Sequence, residues 1–130
     1  MKNQNIVLFI FITTVQYLID INMYPCDKIC GHIMIYIHHI LDIYIYIGGF
    51  LFNPVYHLIC IIFVIIHWLT NDNKCIFTQI VNKICYPNYI GYKPFNDFSI
   101  MLGIQQRYEN INYYYLLLMI IYDLKKIFKI

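Results

Sequence analysis

Two apolar runs separated by a short turn constrain this chain more than any other feature of its sequence. Residues 33–52 carry a single charged residue, Asp42, and residues 55–70 carry none. A helix that crosses a bilayer needs roughly 17–25 mainly apolar residues, which the first run supplies. Proline lacks an amide donor and starts a helix well. The sequence therefore predicts an antiparallel helix hairpin that turns at Asn53 and Pro54.

The composition indicates a lipid bilayer as the main partner of this chain. Hydrophobic residues make up 61% of the 130 residues and charged residues 12%, and the mean hydropathy is +0.59. Ordinary soluble domains are about 45–50% apolar and about 25% charged. The net charge of +2, without a dense run of lysine or arginine, excludes nucleic acid as a predicted partner.

Apolar stretches near both ends of the chain complete the predicted architecture. We predict an all-α, polytopic transmembrane fold with three or four spans in one membrane domain of residues 1–130. The spans are expected near residues 6–24, 33–52, 55–70 and 111–124. Residues 71–110 are expected to form a loop segment, in which residues 76–84 form an amphipathic helix at the membrane interface.

The first stretch has two interpretations. It follows Lys2 and is short for a span, so a secretory signal peptide is an alternative to a membrane anchor. No small-x-small cleavage site follows it, which favours an anchor that the mature protein retains.

The hairpin also constrains the loops on either side of it. Because a hairpin returns the chain to the side from which it came, the loops at residues 20–32 and 70–98 are expected on the same side of the membrane. The placement of lysines does not decide which side that is.

Polar residues recur at helical spacing on both arms of the hairpin. One face of the first arm carries His39, Asp42, Tyr46 and Gly49, and the second arm repeats the pattern from His57 through Cys60 and Val64 to His67 and Asn71. In an antiparallel hairpin, residues equally distant from Asn53 lie at the same depth. We therefore expect His39 to meet His67, and Gly49 to leave room for the ring of His57.

Ionisable residues inside a span suggest a functional site. His39, Asp42 and His67 form a candidate metal or proton site, with His38 as an alternative to His39, because two histidines and a carboxylate are a known ligand set. The preferred interpretation is structural, with these side chains forming hydrogen bonds between helices. Haem is disfavoured, because helices joined by so short a turn pack about 8–10 Å apart.

The cysteines leave three alternatives open. Four of the five lie in the two loops that the hairpin places together: Cys26, Cys30, Cys75 and Cys85. Their irregular spacing permits a zinc site, disulfides or free thiols. The sequence contains no nucleophile elbow, phosphate-binding glycine loop or zinc-protease motif, so an enzymatic activity is not predicted.

An ordered set of motifs spans roughly residues 36–98 and comprises His38-His39, Gly48-Gly49, His57-Leu58, His67-Trp68 and Asn73-Lys74-Cys75. This set resembles a family of small membrane proteins of large nucleocytoplasmic DNA viruses, and more distantly a bacterial membrane-protein family. The resemblance implies a multi-pass helical membrane protein and brings no activity with it. We expect a structural or interaction role in a viral or intracellular membrane, as a homo-oligomer or with other membrane proteins. The alternative is a metal-binding or redox protein that uses its intramembrane histidines.

Overall fold

The computed structural model describes residues 2–91 and 110–130, and this part of the chain is all-helical. Its five helices are α1 (Lys2–Met23), α2 (Ile29–Leu51), α3 (Pro54–Thr70), α4 (Ile76–Cys85) and α5 (Ile111–Phe128). The prediction of an all-α chain is confirmed for these residues. Of the predicted loop segment 71–110, residues 92–109 lie outside the described part.

The turn between α2 and α3 forms as its sequence predicts. The side chain of Asn53 accepts a hydrogen bond from the Val55 amide at 2.9 Å, and Pro54 is the first residue of α3. Asn53 thus satisfies an amide that has no partner within the helix, and proline occupies a position where its missing N–H costs nothing. The central hairpin is confirmed.

Helix α2 is central, because it packs against each of the other four described helices. Asn5, near the start of α1, donates to the carbonyl of Leu51 at the end of α2, so α1 is antiparallel to α2. Lys126, late in α5, donates to the carbonyl of Gly49, while Tyr46 donates to Asn112 at the start of α5. Helix α5 therefore runs parallel to α2 and antiparallel to α3.

Helix α4 continues along α2 where α3 has ended. The intervening turn contains Asp72 and Asn73, both with positive φ angles of 51° and 59°. Val81 in α4 joins Ile35 of α2 in a small apolar cluster, so the buried face of α4 covers the first half of α2. The helix predicted at residues 76–84 is confirmed.

Two helices are long and apolar enough to span a membrane by length and composition. Their windows are Asn3–Met23 and Ile29–Leu51, with mean hydropathies of 1.8 and 1.4, and α3 is a shorter apolar helix. Half of the α2 window is buried inside the bundle, against 17% of the α1 window. Helix α1 therefore presents most of its apolar side chains outward.

The described bundle buries many polar side chains beside its apolar core and exposes many large apolar ones. Its buried side chains include three aspartates, three histidines, Gln16 and two threonines. Large apolar side chains are exposed along α1, α3 and α5, for example Val7, Phe63 and Leu118, each more than 60% exposed. In soluble proteins Asp is mostly exposed, and large apolar side chains seldom cover so much of the surface.

Candidate functional site

The most buried polar contact links α3 to α5. Nδ1 of His57 lies 2.6 Å from Oδ2 of Asp123, and neither side chain is exposed. Nε2 of His57 lies 3.2 Å from the carbonyl oxygen of Ile45, and since a carbonyl only accepts, Nε2 carries a proton. The bond to Asp123 shares a second proton. The pair has no net charge whichever atom holds that proton, which makes its burial tolerable.

Two glycines make room for this pair. A Cβ atom on Gly49 would lie 2.5 Å from Oδ1 of Asp123 and 2.8 Å from Nδ1 of His57. A Cβ on Gly48 would lie 2.8 Å from the His57 ring. The expectation that Gly49 accommodates His57 is confirmed. Lys126 closes the same region by donating to the Gly49 carbonyl at 2.9 Å.

A second polar contact region links α1 to α2. Nε2 of His39 lies 2.9 Å from Oδ2 of Asp20, and both side chains are buried. One turn along, Nε2 of Gln16 donates to Oδ2 of Asp42 at 3.0 Å. Gln16 and Asp20 are four residues apart on α1, and His39 and Asp42 are three apart on α2, so both bonds lie on one interface.

Several buried atoms at these pairs make no hydrogen bond within the described residues. They are Oδ1 of Asp20, Nδ1 of His39 and Oδ1 of Asp123. Each His–Asp pair thus keeps one carboxylate oxygen free while the other is engaged. Chemically, each pair can hold a proton between its two members, and each fixes two helices relative to one another.

The structure does not pair His39 with His67, as equal depth predicted. His39 faces α1, whereas Nε2 of His67 accepts a hydrogen bond from the Ile76 amide at 3.1 Å, at the junction of α3 and α4. His38 lies at the same junction, with Nδ1 3.5 Å from the Cys75 sulfur. The turn after Thr70 brings the first amide of α4 to the His67 ring, and His39 has its partner on α1.

The candidate metal ligands accordingly have different partners. His39 pairs with Asp20, Asp42 with Gln16, and His67 with the start of α4. Within residues 2–91 and 110–130 there is no group of three or more His, Cys, Asp or Glu side chains that could hold a metal ion. A metal site formed by His39, Asp42 and His67 stays a prediction.

The polar stripe of α2 is buried along its whole length, as expected for one helix face. Its partners change along the helix: His39 and Asp42 contact α1, while Tyr46 donates to Asn112 of α5 at 3.0 Å. Gly49 then contacts both α3 and α5. The stripe therefore faces the interior that all the long helices share, rather than α3 alone.

Sequence reasoning missed the partners Gln16, Asp20 and Asp123. A usable signal existed for the first two, because Gln16 and Asp20 are four positions apart on one apolar helix, which matches the one-turn spacing of His39 and Asp42 on the next. Asp123 carried no comparable signal, since α5 is separated from α3 by a long segment.

The cysteine alternatives are partly decided. Cys26 and Cys85 form a disulfide across 59 positions, while Cys30, Cys60 and Cys75 are not in a disulfide. The Tyr86 hydroxyl donates to the Tyr24 carbonyl at 2.8 Å beside this bond. Burial, followed by the charges of Asp20 and Tyr24, raises the pKa of Tyr86. Because the disulfide and the Tyr86 hydrogen bond join the loops at residues 20–32 and 70–98, the described parts of both loops lie at the same end of the bundle. Residues 92–98 are outside the described part.

In comparisons with known proteins, no protein-family model, no curated protein and no solved structure matches this chain. The candidate site therefore rests on its own geometry.

Proposed function

We propose that this chain is a multi-pass membrane protein with a structural or interaction role, whose helices are held together by buried His–Asp pairs. The observation that carries the proposal is the combination of buried, paired ionisable side chains with extensive exposed apolar helix surfaces. His39–Asp20 and His57–Asp123 lie inside the bundle, while the outer surfaces of the long helices are aliphatic and aromatic. In lipid, polar side chains gain most by bonding to one another, and apolar side chains can face outward without penalty.

The helix lengths support three or four crossings. Helices α1 and α2 have suitable windows, and α3, at 17 residues, is at the lower limit of roughly 17–25 residues for a span. Helix α5 has 18 residues and carries Lys125 and Lys126 in its last turn. Long lysine side chains at a helix end can extend toward the headgroups while their methylene groups stay in lipid.

The contacts favour a structural role for the histidines over metal binding. Each His–Asp pair joins two different helices, α1 to α2 and α3 to α5, and the hairpin turn joins α2 to α3. Together these contacts connect all four long helices. The motif resemblance over residues 36–98 supports a viral or intracellular membrane as the location, and a homo-oligomer or another membrane protein as the partner class.

Membrane insertion can be tested by extraction and labelling. We expect the protein to resist extraction by alkaline carbonate and to dissolve only in detergent. In sealed vesicles, a membrane-impermeant maleimide should label Cys30 and an Ile90→Cys variant alike, because both positions are exposed at the end of the bundle that the disulfide closes. An Asn53→Cys variant at the opposite turn should show the opposite accessibility. All three labelled proteins carry Cys60→Ser and Cys75→Ser. The Ile90→Cys and Asn53→Cys variants also carry Cys30→Ser, so that each protein has one cysteine outside the disulfide.

Two results would overturn membrane insertion: release by carbonate, or labelling of Cys30, position 90 and position 53 from the same side of intact vesicles. The structural role is tested separately by element analysis of detergent-purified protein. Stoichiometric zinc, iron or copper that His39→Leu abolishes would contradict it and support a metal site.

A further inference from the structure

The two ends of α2 have chemically different surroundings. Near its start, a Cβ atom on Gly31 would clash with the sulfurs of Cys26 and Cys85, so the disulfide rests on the bare backbone of this glycine. Near its end, Nζ of Lys126 donates to the carbonyl oxygen of Gly49 at 2.9 Å. The two glycines belong to the same helix and lie about 27 Å apart at a rise of about 1.5 Å per residue. This separation is close to the roughly 30 Å thickness of the hydrocarbon core of a bilayer.

Three exposed lysines form what we call the lysine end of the bundle: Lys125, Lys126 and Lys129. Within the described residues, none of them forms an ion pair. The acidic side chain of α5, Asp123, is completely buried and bonded to a histidine of α3, so it does not offset the lysines. An ammonium group has three donors, and the bond from Lys126 to a neutral carbonyl leaves its charge uncompensated.

The disulfide end carries charges of both signs. Asp27 adjoins Lys28, and Asp72 precedes Lys74 in the turn before α4. Disulfides form in oxidising compartments and are rare in the cytosol. Anionic phospholipids, by contrast, give the cytosolic leaflet its negative surface potential. The two ends of the bundle therefore match the two sides of one membrane.

We infer that the lysine end binds anionic phospholipid headgroups of the cytosolic leaflet, while the disulfide end faces an oxidising compartment. The inference rests on the proposed membrane insertion and adds to it the lipid class and the orientation. The attraction of neighbouring lysines for anionic headgroups accumulates. The ring of Tyr122 lies 5.7 Å from Nζ of Lys126, and tyrosines are enriched at the level of the headgroups.

Lipid binding by the detergent-purified full chain tests the lipid class. Native mass spectrometry gives the apparent Kd for dioleoyl-phosphatidylserine and for dioleoyl-phosphatidylcholine, which differ only in the headgroup. We expect tighter binding of phosphatidylserine, and the triple variant Lys125→Gln/Lys126→Gln/Lys129→Gln should weaken it by about tenfold or more. Binding of phosphatidylcholine should not change. Excess inorganic phosphate at matched ionic strength should not displace phosphatidylserine, and displacement would identify a site for free anions instead.

The matched control removes the same number of charges from the disulfide end. Lys28→Gln/Lys74→Gln/Lys83→Gln should leave phosphatidylserine binding unchanged. Because Lys126 also bonds to the backbone of α2, a double variant that keeps it, Lys125→Gln/Lys129→Gln, separates lost charge from lost packing. It should weaken phosphatidylserine binding by about threefold or more. Equal losses in the triple variant and in the matched control would overturn the lipid site.

The orientation is tested in sealed microsomes, whose outer surface is the cytosolic one. A membrane-impermeant maleimide should label the Asn53→Cys protein without detergent and the Ile90→Cys protein only after detergent is added, in the single-cysteine backgrounds described above. The reverse pattern would contradict the inference. Protein that resists carbonate extraction but shows no preference for phosphatidylserine would refute the lipid site and leave membrane insertion intact.

Discussion

Nδ1 of His57 lies 2.6 Å from Oδ2 of Asp123, with both side chains completely buried between α3 and α5. These residues are 66 positions apart, so the contact is formed by the tertiary fold and not by neighbouring sequence. The contact fixes the last helix against the central hairpin. Its removal should therefore affect the whole bundle.

The His57–Asp123 pair predicts strong coupling between its members. His57→Leu or Asp123→Leu alone leaves a buried polar group without its partner, which should cost about 3–5 kcal/mol in the free energy of unfolding. The double variant should cost clearly less than the two single variants together. Thermal or denaturant unfolding in detergent measures all three. Tyr56→Phe, at an exposed neighbouring position, serves as the control and should change stability by less than about 0.5 kcal/mol. Additive costs would mean that the two side chains do not interact.

Gly49→Ala should destabilise the protein although alanine is the better helix former. The added methyl group would lie 2.5 Å from the Asp123 carboxylate and 2.8 Å from the His57 ring, so the pair must move. Overpacking of this kind costs about 1–3 kcal/mol, against a gain in helix propensity of about 1 kcal/mol. In an Asp123→Ala background the methyl group has space, and the substitution should cost less there. An equal cost in both backgrounds, by the same unfolding assay, would contradict the steric explanation.

Helix α1 should remain in the mature protein. His39 and Asp42 both have their polar partners on this helix, Asp20 and Gln16. Cleavage after α1 would leave an imidazole and a carboxylate without those partners in an apolar environment, which is costly. The intact mass of the purified protein should therefore account for the residues of α1, from Met1 or Lys2 onward. A product that begins near Tyr24 would identify α1 as a signal peptide.

The Cys26–Cys85 disulfide should contribute measurably to stability. It closes a loop across 59 positions, for which the chain-entropy model gives up to about 4 kcal/mol. Cys26→Ser, Cys85→Ser and the double variant should lose similar amounts, because any one of them removes the bond. Unfolding with and without reductant provides the control: reductant should destabilise the parent protein and leave the three variants unchanged. A parent protein insensitive to complete reduction would show that the bond carries no stability.

The sequence by itself determined the helices and the central hairpin. An apolar run that is removed from water can make all of its backbone hydrogen bonds within itself only as a helix. Asn53 and Pro54 encode a helix start through interactions within a few residues. The same local rules identified the buried stripe of α2 and the fit of His57 against Gly49, because a tight turn fixes which residues of two adjacent helices lie at equal depth.

Only the tertiary structure decided the partners of the buried polar residues and the pairing of the cysteines. His39 bonds to Asp20 on α1 and the His67 ring bonds to the first amide of α4, so both histidines have partners outside the hairpin. Asp123 reaches His57 across the segment between α4 and α5, whose length leaves the position of α5 unconstrained by local geometry. Helical periodicity tells which side chains share a face, but the neighbour that covers each part of that face depends on how distant helices pack.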